Sequence, residues 1–191
     1  MSTIVTPVAP HTAGSELHFR AAGPDDVAAV VALVESAYRG DASRAGWTTE
    51  ADLLDGRRTG SDEIANIIGR DRNGILLAEQ GGQVVACAHV AIEDGDGYFG
   101  MFSVVPSLQG AGIGKRVLAE AERIIAHEWG CRRLCMSVID LREELIAFYL
   151  RRGYRRTGII KSFPYGDPRF GLPRREDLRF EVLEKTFGGE S

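Results

Sequence analysis

A glycine-rich turn near the middle of the chain has the residue types and spacing of a phosphate-binding backbone. It follows the apolar residues Val104 and Val105 and consists of Gln109, Gly110, Ala111, Gly112, Ile113, Gly114 and Lys115. Glycines at alternate positions let the backbone curl so that its N–H groups face one point. A helix is predicted directly after the turn, and its N-terminus adds unpaired donors and partial positive charge. The sequence therefore predicts a pocket for a phosphate or pyrophosphate.

Two familiar nucleotide-binding motifs do not fit this turn. A P-loop requires a glycine where Gln109 stands and a serine or threonine where Arg116 stands. A dinucleotide fingerprint that starts at Gly110 requires a third glycine where Lys115 stands. The spacing therefore argues against ATP or NAD as the ligand.

The composition is typical of a globular protein. The chain has 191 residues, of which 44% are hydrophobic and 26% are charged, and its net charge is −4. This charge argues against nucleic acid as a partner, and the longest apolar run, Val27 to Val34, is too short to span a membrane. Three cysteines without a C-x-x-C pair predict reduced thiols in a cytoplasmic protein, and scattered histidines predict no metal site.

The pattern of apolar residues predicts one domain over residues 16–187, between a flexible tail over 1–15 and a C-terminal tail over 188–191. The N-terminal segment has neither a basic start nor an apolar core, so it is not interpreted as a signal peptide. Seven strands are predicted at 17–22, 75–79, 84–92, 98–105, 134–139, 154–161 and 178–185. Helices interrupt these mostly antiparallel strands, and this order favours an α+β layer fold.

About four or five helices are predicted around the sheet. They lie at 24–40, 61–69, 113–129 and 141–152, with a further short helix that starts at Thr48 or Thr49 and ends at Leu54. A capping box of Asp140 and Glu143 is predicted to open the last helix. Residues 162–175 are predicted to form a long loop rich in Pro and Gly.

A second motif lies on the last predicted helix, where Phe148-Tyr149 is followed by Gly153-Tyr154. This pattern resembles the aromatic-Tyr-x-x-x-Gly-aromatic motif of the GNAT superfamily of acyl-CoA-dependent N-acetyltransferases. The turn resembles the Q/R-x-x-G-x-G/A pyrophosphate motif of the same superfamily, at Gln109, Gly112 and Gly114. The order of the two motifs and of the elements also matches, so the resemblance covers about Leu17 to Lys185.

This resemblance implies acetyl-CoA as cosubstrate and no metal. The pyrophosphate is expected on the N–H groups of Gln109 to Lys115, and the pantetheine arm beside Phe102, Ser103 and Val104. The seven-stranded sheet is expected to splay there, between its fourth and fifth strands, which leaves backbone groups for the arm to bind.

The resemblance also assigns a catalytic role to Tyr149. A neutral amine is expected to attack the thioester directly in a ternary complex, and the tyrosine would protonate the departing thiolate as a general acid. Without the upstream motif, an ordinary core aromatic would be the preferred interpretation of this residue. The general base is left open among Glu35, Glu79, His89, Asp140 and a water relay. Arg142 stands where many members have Asn, and no role is assigned to it.

The expected acceptor is the primary amine of a small molecule or peptide, flanked by residues 39–47 and 162–175. The alternative function is a non-catalytic acyl-CoA sensor or regulatory module on the same fold. The absence of a carboxylate on the fourth strand favours this alternative, whereas Tyr149 argues against it. A basic run over 151–156 is interpreted as a solvated surface. Family members are often dimers, so a homodimer is also left open.

Overall fold

The computed structural model describes residues 16–188, so the tail predicted over 1–15 and residues 189–191 lie outside the described part. Seven strands form one sheet: β1 (His18–Ala21), β3 (Asn73–Gln80), β4 (Gln83–Glu93), β5 (Asp96–Val104), β6 (Arg133–Ile139), β7 (Arg155–Ser162) and β9 (Arg179–Thr186). Their spatial order is β1-β3-β4-β5-β6-β9-β7, and only the β5–β6 pair is parallel. The predicted α+β class with a mostly antiparallel seven-stranded sheet is confirmed.

Five α-helices lie in the described part: α1 (Val27–Tyr38), α2 (Gly40–Ser43), α3 (Ser61–Ile67), α4 (Ile113–Arg123) and α5 (Glu143–Leu150). The end of α4 continues as a π-turn over Ile124–Glu128. None of the described helices is long and apolar enough to cross a bilayer.

The helices cover both faces of the sheet. On one face α1 and α3 pack against β3 and β4, and Val30, Val34 and Leu77 are completely buried there. On the other face α4 and α5 pack against β5 and β6, and Val117 and Ile146 are completely buried. The apolar residues of α1 recur every three or four positions, so one stripe of that helix faces the sheet.

The sheet opens between its fourth and fifth strands, β5 and β6, as predicted. The two strands pair only at Gly97 with Leu134 and at Tyr98 with Cys135. Beyond these pairs β5 continues to Val104 and β6 continues to Ile139, but the two strands no longer pair with each other. A gap therefore separates their C-terminal halves.

A β-bulge on β5 lies at this gap. The pairing with β4 runs from Gly100 opposite His89 to Ser103 opposite Cys87, so Met101 and Phe102 both face a single residue of β4. Met101 has a φ of +47°, a left-handed conformation that is strained for a non-glycine residue. The extra residue shifts the alternation, so the Met101 side chain joins the core under α1 and Phe102 joins the core under α4.

Two local predictions are wrong. The segment predicted as a helix ending at Leu54 instead contributes β2 (Leu54–Asp55), which pairs with β8 (Leu172–Pro173) in a second small sheet. This pairing joins residues more than a hundred positions apart, which local periodicity does not reveal. The capping box is also absent, because α5 begins after Arg142 and the Asp140 carboxylate pairs with Arg179 at 2.7 Å.

Candidate active site

The glycine-rich turn presents a cluster of unpaired backbone donors at the N-terminus of α4. Its N–H groups at Gly110, Gly112, Ile113, Gly114 and Lys115 have no acceptor within residues 16–188. The first backbone bond of the helix runs from the Arg116 N–H to the Gly112 carbonyl at 3.3 Å. Donors that converge at a helix N-terminus form a site for an anion.

The three glycines serve two different purposes. Gly110 and Gly112 have φ values of +89° and +82°, which only glycine adopts without strain. A Cβ on Gly114 would lie 3.0 Å from the Phe102 ring, so this glycine lets the helix approach β5 closely. Of the other two apolar side chains in the turn, Ile113 is buried in the core and Ala111 is exposed.

A cleft of about 270 Å³ lies against the turn. It is lined by Trp47, Thr48, Phe102, Val104, Gln109, Gly110, Gly112, Gly114, Lys115, Phe148, Arg151 and Arg152. Three cations therefore accompany the unpaired donors. Arg151 is exposed, as the sequence predicted for the basic run, and Arg152 is half-buried. Arg152 also stacks on Phe148, with its guanidinium carbon 3.5 Å from the ring centre.

The side chain of Gln109 holds a neighbouring segment in place instead of facing the cleft freely. Its Oε1 accepts from the Trp47 N–H at 2.9 Å, and its Nε2 donates to the Thr48 hydroxyl at 2.8 Å. The same Nε2 donates to the Val104 carbonyl at 3.2 Å. Gly46 makes room for this amide, since a Cβ there would lie 2.6 Å from it. The first residue of the motif thus joins the turn to the segment after α2.

The predicted cofactor edge on β5 is only partly available. The Phe102 carbonyl accepts from the Tyr38 hydroxyl at 2.7 Å, and the Val104 carbonyl is bound by Gln109. The Ser103 side chain is completely buried and donates to the Met101 carbonyl at 3.1 Å. The Phe102 ring and Val104 do line the cleft, so two of the three predicted residues lie at it with their side chains.

A second cavity, of about 460 Å³, lies in the gap between β5 and β6. Much of its wall is aromatic, formed by Tyr38, Tyr98, Phe99, Phe102, Tyr149, Phe163, Phe170 and Phe180. Phe102 lines both spaces, so the cleft at the turn and this cavity meet at the bulge. We call the larger space the acceptor-side cavity.

Tyr149 lines the acceptor-side cavity and is only 3% exposed. Its hydroxyl has no hydrogen-bond partner within the described residues. Burial raises the pKa of this phenol well above its usual value, so it remains protonated at physiological pH. Its ring packs edge-on against Phe148 and Tyr154, which fixes its direction.

A buried carboxylate with three neighbouring arginines also lines the acceptor-side cavity. Glu50 accepts hydrogen bonds from Arg39 at 2.6 Å and from Arg142 at 2.8 Å. The side chains of Glu50, Arg39 and Arg142 are each at most 10% exposed. Arg142 also donates to the Thr48 carbonyl. Burial acts to raise the pKa of Glu50, but the charges of Arg142, Arg58 and Arg39 outweigh it and lower that pKa. Local sequence patterns gave no signal for this cluster, because Arg142 lies 92 positions after Glu50.

None of the four side chains considered as a general base lines the acceptor-side cavity. Glu35 accepts from the N–H groups of Arg58 and Thr59, and Glu79 pairs with Arg20 at the far side of the sheet. His89 bonds to Asn73 at 2.8 Å, and burial together with the charge of Arg58 lowers its pKa to about 4. The carboxylates that do line the cavity are Glu50 and Glu93.

Glu93 lies at the end of β4, and although its side chain is largely exposed, partial desolvation raises its pKa. A carboxylate with a raised pKa accepts a proton more readily than Glu50 does. Within residues 16–188, no group of three or more His, Cys, Asp or Glu side chains is arranged to hold a metal ion.

The fold and the glycine-rich turn agree with a comparison of the sequence with known protein families. The model of the Acetyltransferase (GNAT) family matches residues 34–154, which is more than half of the chain. The protein therefore belongs to the GNAT family of acetyltransferases. No match was found among curated proteins by sequence.

Solved structures share the fold over most of the chain. The ribosomal-protein-S18-alanine N-acetyltransferase from Escherichia coli has a TM-score of 0.67 at 15% identity, over 92% of this chain and 98% of that one. The ribosomal-protein-alanine N-acetyltransferase from Brucella melitensis has a TM-score of 0.67 at 21% identity, over 89% and 99%. A candidate streptothricin acetyltransferase from Bacillus anthracis, solved with acetyl coenzyme A, has a TM-score of 0.55 at 17% identity, over 65% and 69%.

Proposed function

We propose that the protein transfers an acetyl group from acetyl-CoA to a primary amine by direct attack within a ternary complex. The observation that carries this proposal is that Phe102 lines both the cleft at the turn and the acceptor-side cavity. Two substrates that enter from the two spaces would therefore meet at the bulge of β5. Membership of the GNAT family supports acyl transfer, and one structural relative was solved with acetyl-CoA.

The turn and its cations suit the pyrophosphate of CoA. The unpaired N–H groups at Gly110, Gly112 and Gly114 would donate to phosphate oxygens. Lys115, Arg151 and Arg152 line the same cleft and would balance the phosphate charge. Acetyl-CoA would supply the thioester carbonyl and the thiolate leaving group.

Tyr149 has the properties of the general acid in this reaction. It lines the acceptor-side cavity, its hydroxyl has no competing partner within residues 16–188, and its raised pKa keeps the proton available. A phenol that remains protonated is in the state that a general acid requires, and it can donate its proton to the sulfur as the C–S bond breaks. Glu93 is the cavity carboxylate suited to take the proton that the amine loses, directly or through water.

A thermal-shift titration tests the cofactor half of the proposal. Acetyl-CoA and CoA should raise the melting temperature, because a ligand that binds only the folded state stabilises it. ATP and NAD should not raise it, because the turn lacks their motifs. If no CoA species shifts the transition at millimolar concentration, the proposal is wrong. If CoA species bind, release of thiol in the presence of a panel of amines tests the transfer itself.

A further inference from the structure

The acceptor-side cavity contains more positive than negative charge. Four cationic side chains line it, namely Arg39, Arg58, Arg142 and Lys161, against the two carboxylates of Glu50 and Glu93. Glu50 is already bound by Arg39 and Arg142. Lys161 and Glu93 are exposed at the edge of the cavity, so solvent screens them. Glu50 offsets only one of the two arginines that bind it, so the cavity has an excess of positive charge, and Arg58 is the lining arginine that pairs with no carboxylate within residues 16–188.

Arg58 is held in place but has no anion bound to it. Its backbone N–H donates to the Glu35 carboxylate at 2.6 Å, and its guanidinium stands over the Tyr38 ring at 5.4 Å. The half-buried guanidinium makes no hydrogen bond or ion pair within the described residues. Burial acts to lower the pKa of Arg58, but the charge of Glu50 outweighs it and raises that pKa, so the side chain remains a cation. Its N–H groups are therefore available to a bound oxyanion.

Arg39 supplies further unused donors beside the same cavity. Its Nη1 binds Glu50, whereas its Nε and Nη2 are buried and have no acceptor within the described residues. The side chain is only 6% exposed, and Gly171 allows backbone to lie close to its Nη2. Two arginines that line one cavity thus both have N–H groups that lack acceptors.

We infer that the acceptor amine also carries an anionic group, a carboxylate or phosphonate, which Arg58 binds with support from the net positive charge that Arg39 and Arg142 leave after pairing with Glu50. This inference rests on the proposed function and names its substrate class. Guanidinium groups match the geometry of such oxyanions. A polyamine would instead bring further positive charge into a cavity that already has an excess of it, so this class of amine is disfavoured.

Matched pairs of amines test the inference. The probes are ω-amino acids with one to five methylene groups between the amine and the carboxylate, L-phenylalanine, and the corresponding carboxamides and aminoalkylphosphonates. Thiol release with acetyl-CoA gives kcat/KM, expressed per concentration of neutral amine so that differences in amine basicity cancel. At least one acid or phosphonate should exceed its amide by about tenfold or more.

Substitutions at two adjacent arginines distinguish an anion site at Arg58 from a general effect of positive charge on the rate. Arg58→Met should abolish the preference for the acid, so that the ratio of kcat/KM for each acid to that for its amide falls to about one. Arg57→Met removes an exposed charge from the neighbouring position, which does not line the cavity, and should behave like the wild type. Arg58→Lys, which keeps the cation, should retain part of the preference, and thermal melts confirm that each variant folds.

The outcomes are distinct. If every acid and phosphonate reacts no faster than its amide, or if the preference persists in Arg58→Met, the inference is wrong. If no amine is acetylated at all, the proposed function fails instead. Calorimetric binding of N-acetyl amino acids and their amides to the CoA-saturated protein then decides the inference, because it requires no turnover.

Discussion

Arg142 donates to the Glu50 carboxylate at 2.8 Å, and this bond joins the start of α5 to a segment 92 positions earlier in the chain. The same guanidinium binds the Thr48 carbonyl, so it holds the segment that borders both cavities. The position at which the sequence departs from the family pattern is therefore a structural brace in this protein.

Replacing Arg142 with Asn should destabilise the protein by about 3 kcal/mol, because it leaves one oxygen of the buried Glu50 carboxylate and the Thr48 carbonyl without this donor. Urea unfolding monitored by circular dichroism measures this loss. Arg174→Met is the control, since Arg174 makes a similar pair with Asp55 in which both side chains are about half exposed. That exposed pair should contribute little. Equal losses of stability in the two variants would contradict the bracing role of Arg142.

Removing the Tyr149 hydroxyl should affect turnover more than folding. Tyr149→Phe is expected to lower kcat about 100-fold while the affinity for acetyl-CoA stays unchanged, because only the proton donor is lost. Tyr154→Phe is the matched control, since its hydroxyl donates to Glu122 at 2.9 Å and it does not line the acceptor-side cavity. That variant should keep its kcat and lose about 1 kcal/mol of stability. An unchanged kcat in Tyr149→Phe would instead favour the non-catalytic sensor.

The turn can be tested with two glycines of similar conformation. Gly112 and Gly130 have φ values of +82° and +72°, and a Cβ on either would meet no atom within 4 Å. Alanine at either position should therefore lose about 1–2 kcal/mol of stability through backbone strain. Only Gly112→Ala should also weaken acetyl-CoA binding, by about tenfold or more, because it disturbs N–H donors to a charged group. Calorimetric titration measures the affinity, and equal weakening in both variants would contradict the proposed pyrophosphate site.

His89 should make the stability depend on pH between about 6.5 and 4. Its pKa is lowered to about 4 in the folded protein, so the unfolded chain binds more protons in this range. The free energy of unfolding should therefore fall as the pH decreases from 6.5 to 4, with a slope of at most about 1.4 kcal/mol per pH unit.

His89→Gln serves as the comparison for this pH dependence, because an amide can still bond to Asn73 but does not titrate. Urea unfolding at several pH values should give a flatter curve for this variant above pH 4.5. Glu50 and Asp26 have lowered pKa values and lose their contributions only below that range. An identical slope in the two proteins would exclude His89 as the source.

Local sequence patterns predicted the strands of the large sheet and most of the helices because these elements depend on short-range periodicity. The continuous apolar runs of β3 and β4, which are buried on both faces, and the apolar stripe of α4 are visible in the sequence whatever lies opposite. The turn was predictable for a similar reason, since Gly110 and Gly112 are required by their own φ values. The pairing of β2 with β8 was not, because neither two-residue strand has a pattern of its own.

The sequence by itself determined the fold class, the glycine-rich turn and the family, because each depends on residues close together in the chain. Only the tertiary structure decided which charges share the acceptor-side cavity. Glu50, Arg58 and Arg142 come from segments that local patterns treat as polar loop or helix start, and burial beside one another gives them their chemistry. The folded chain also shows that the side chain of Gln109 holds the segment at Trp47, a contact across 62 positions that no motif encodes.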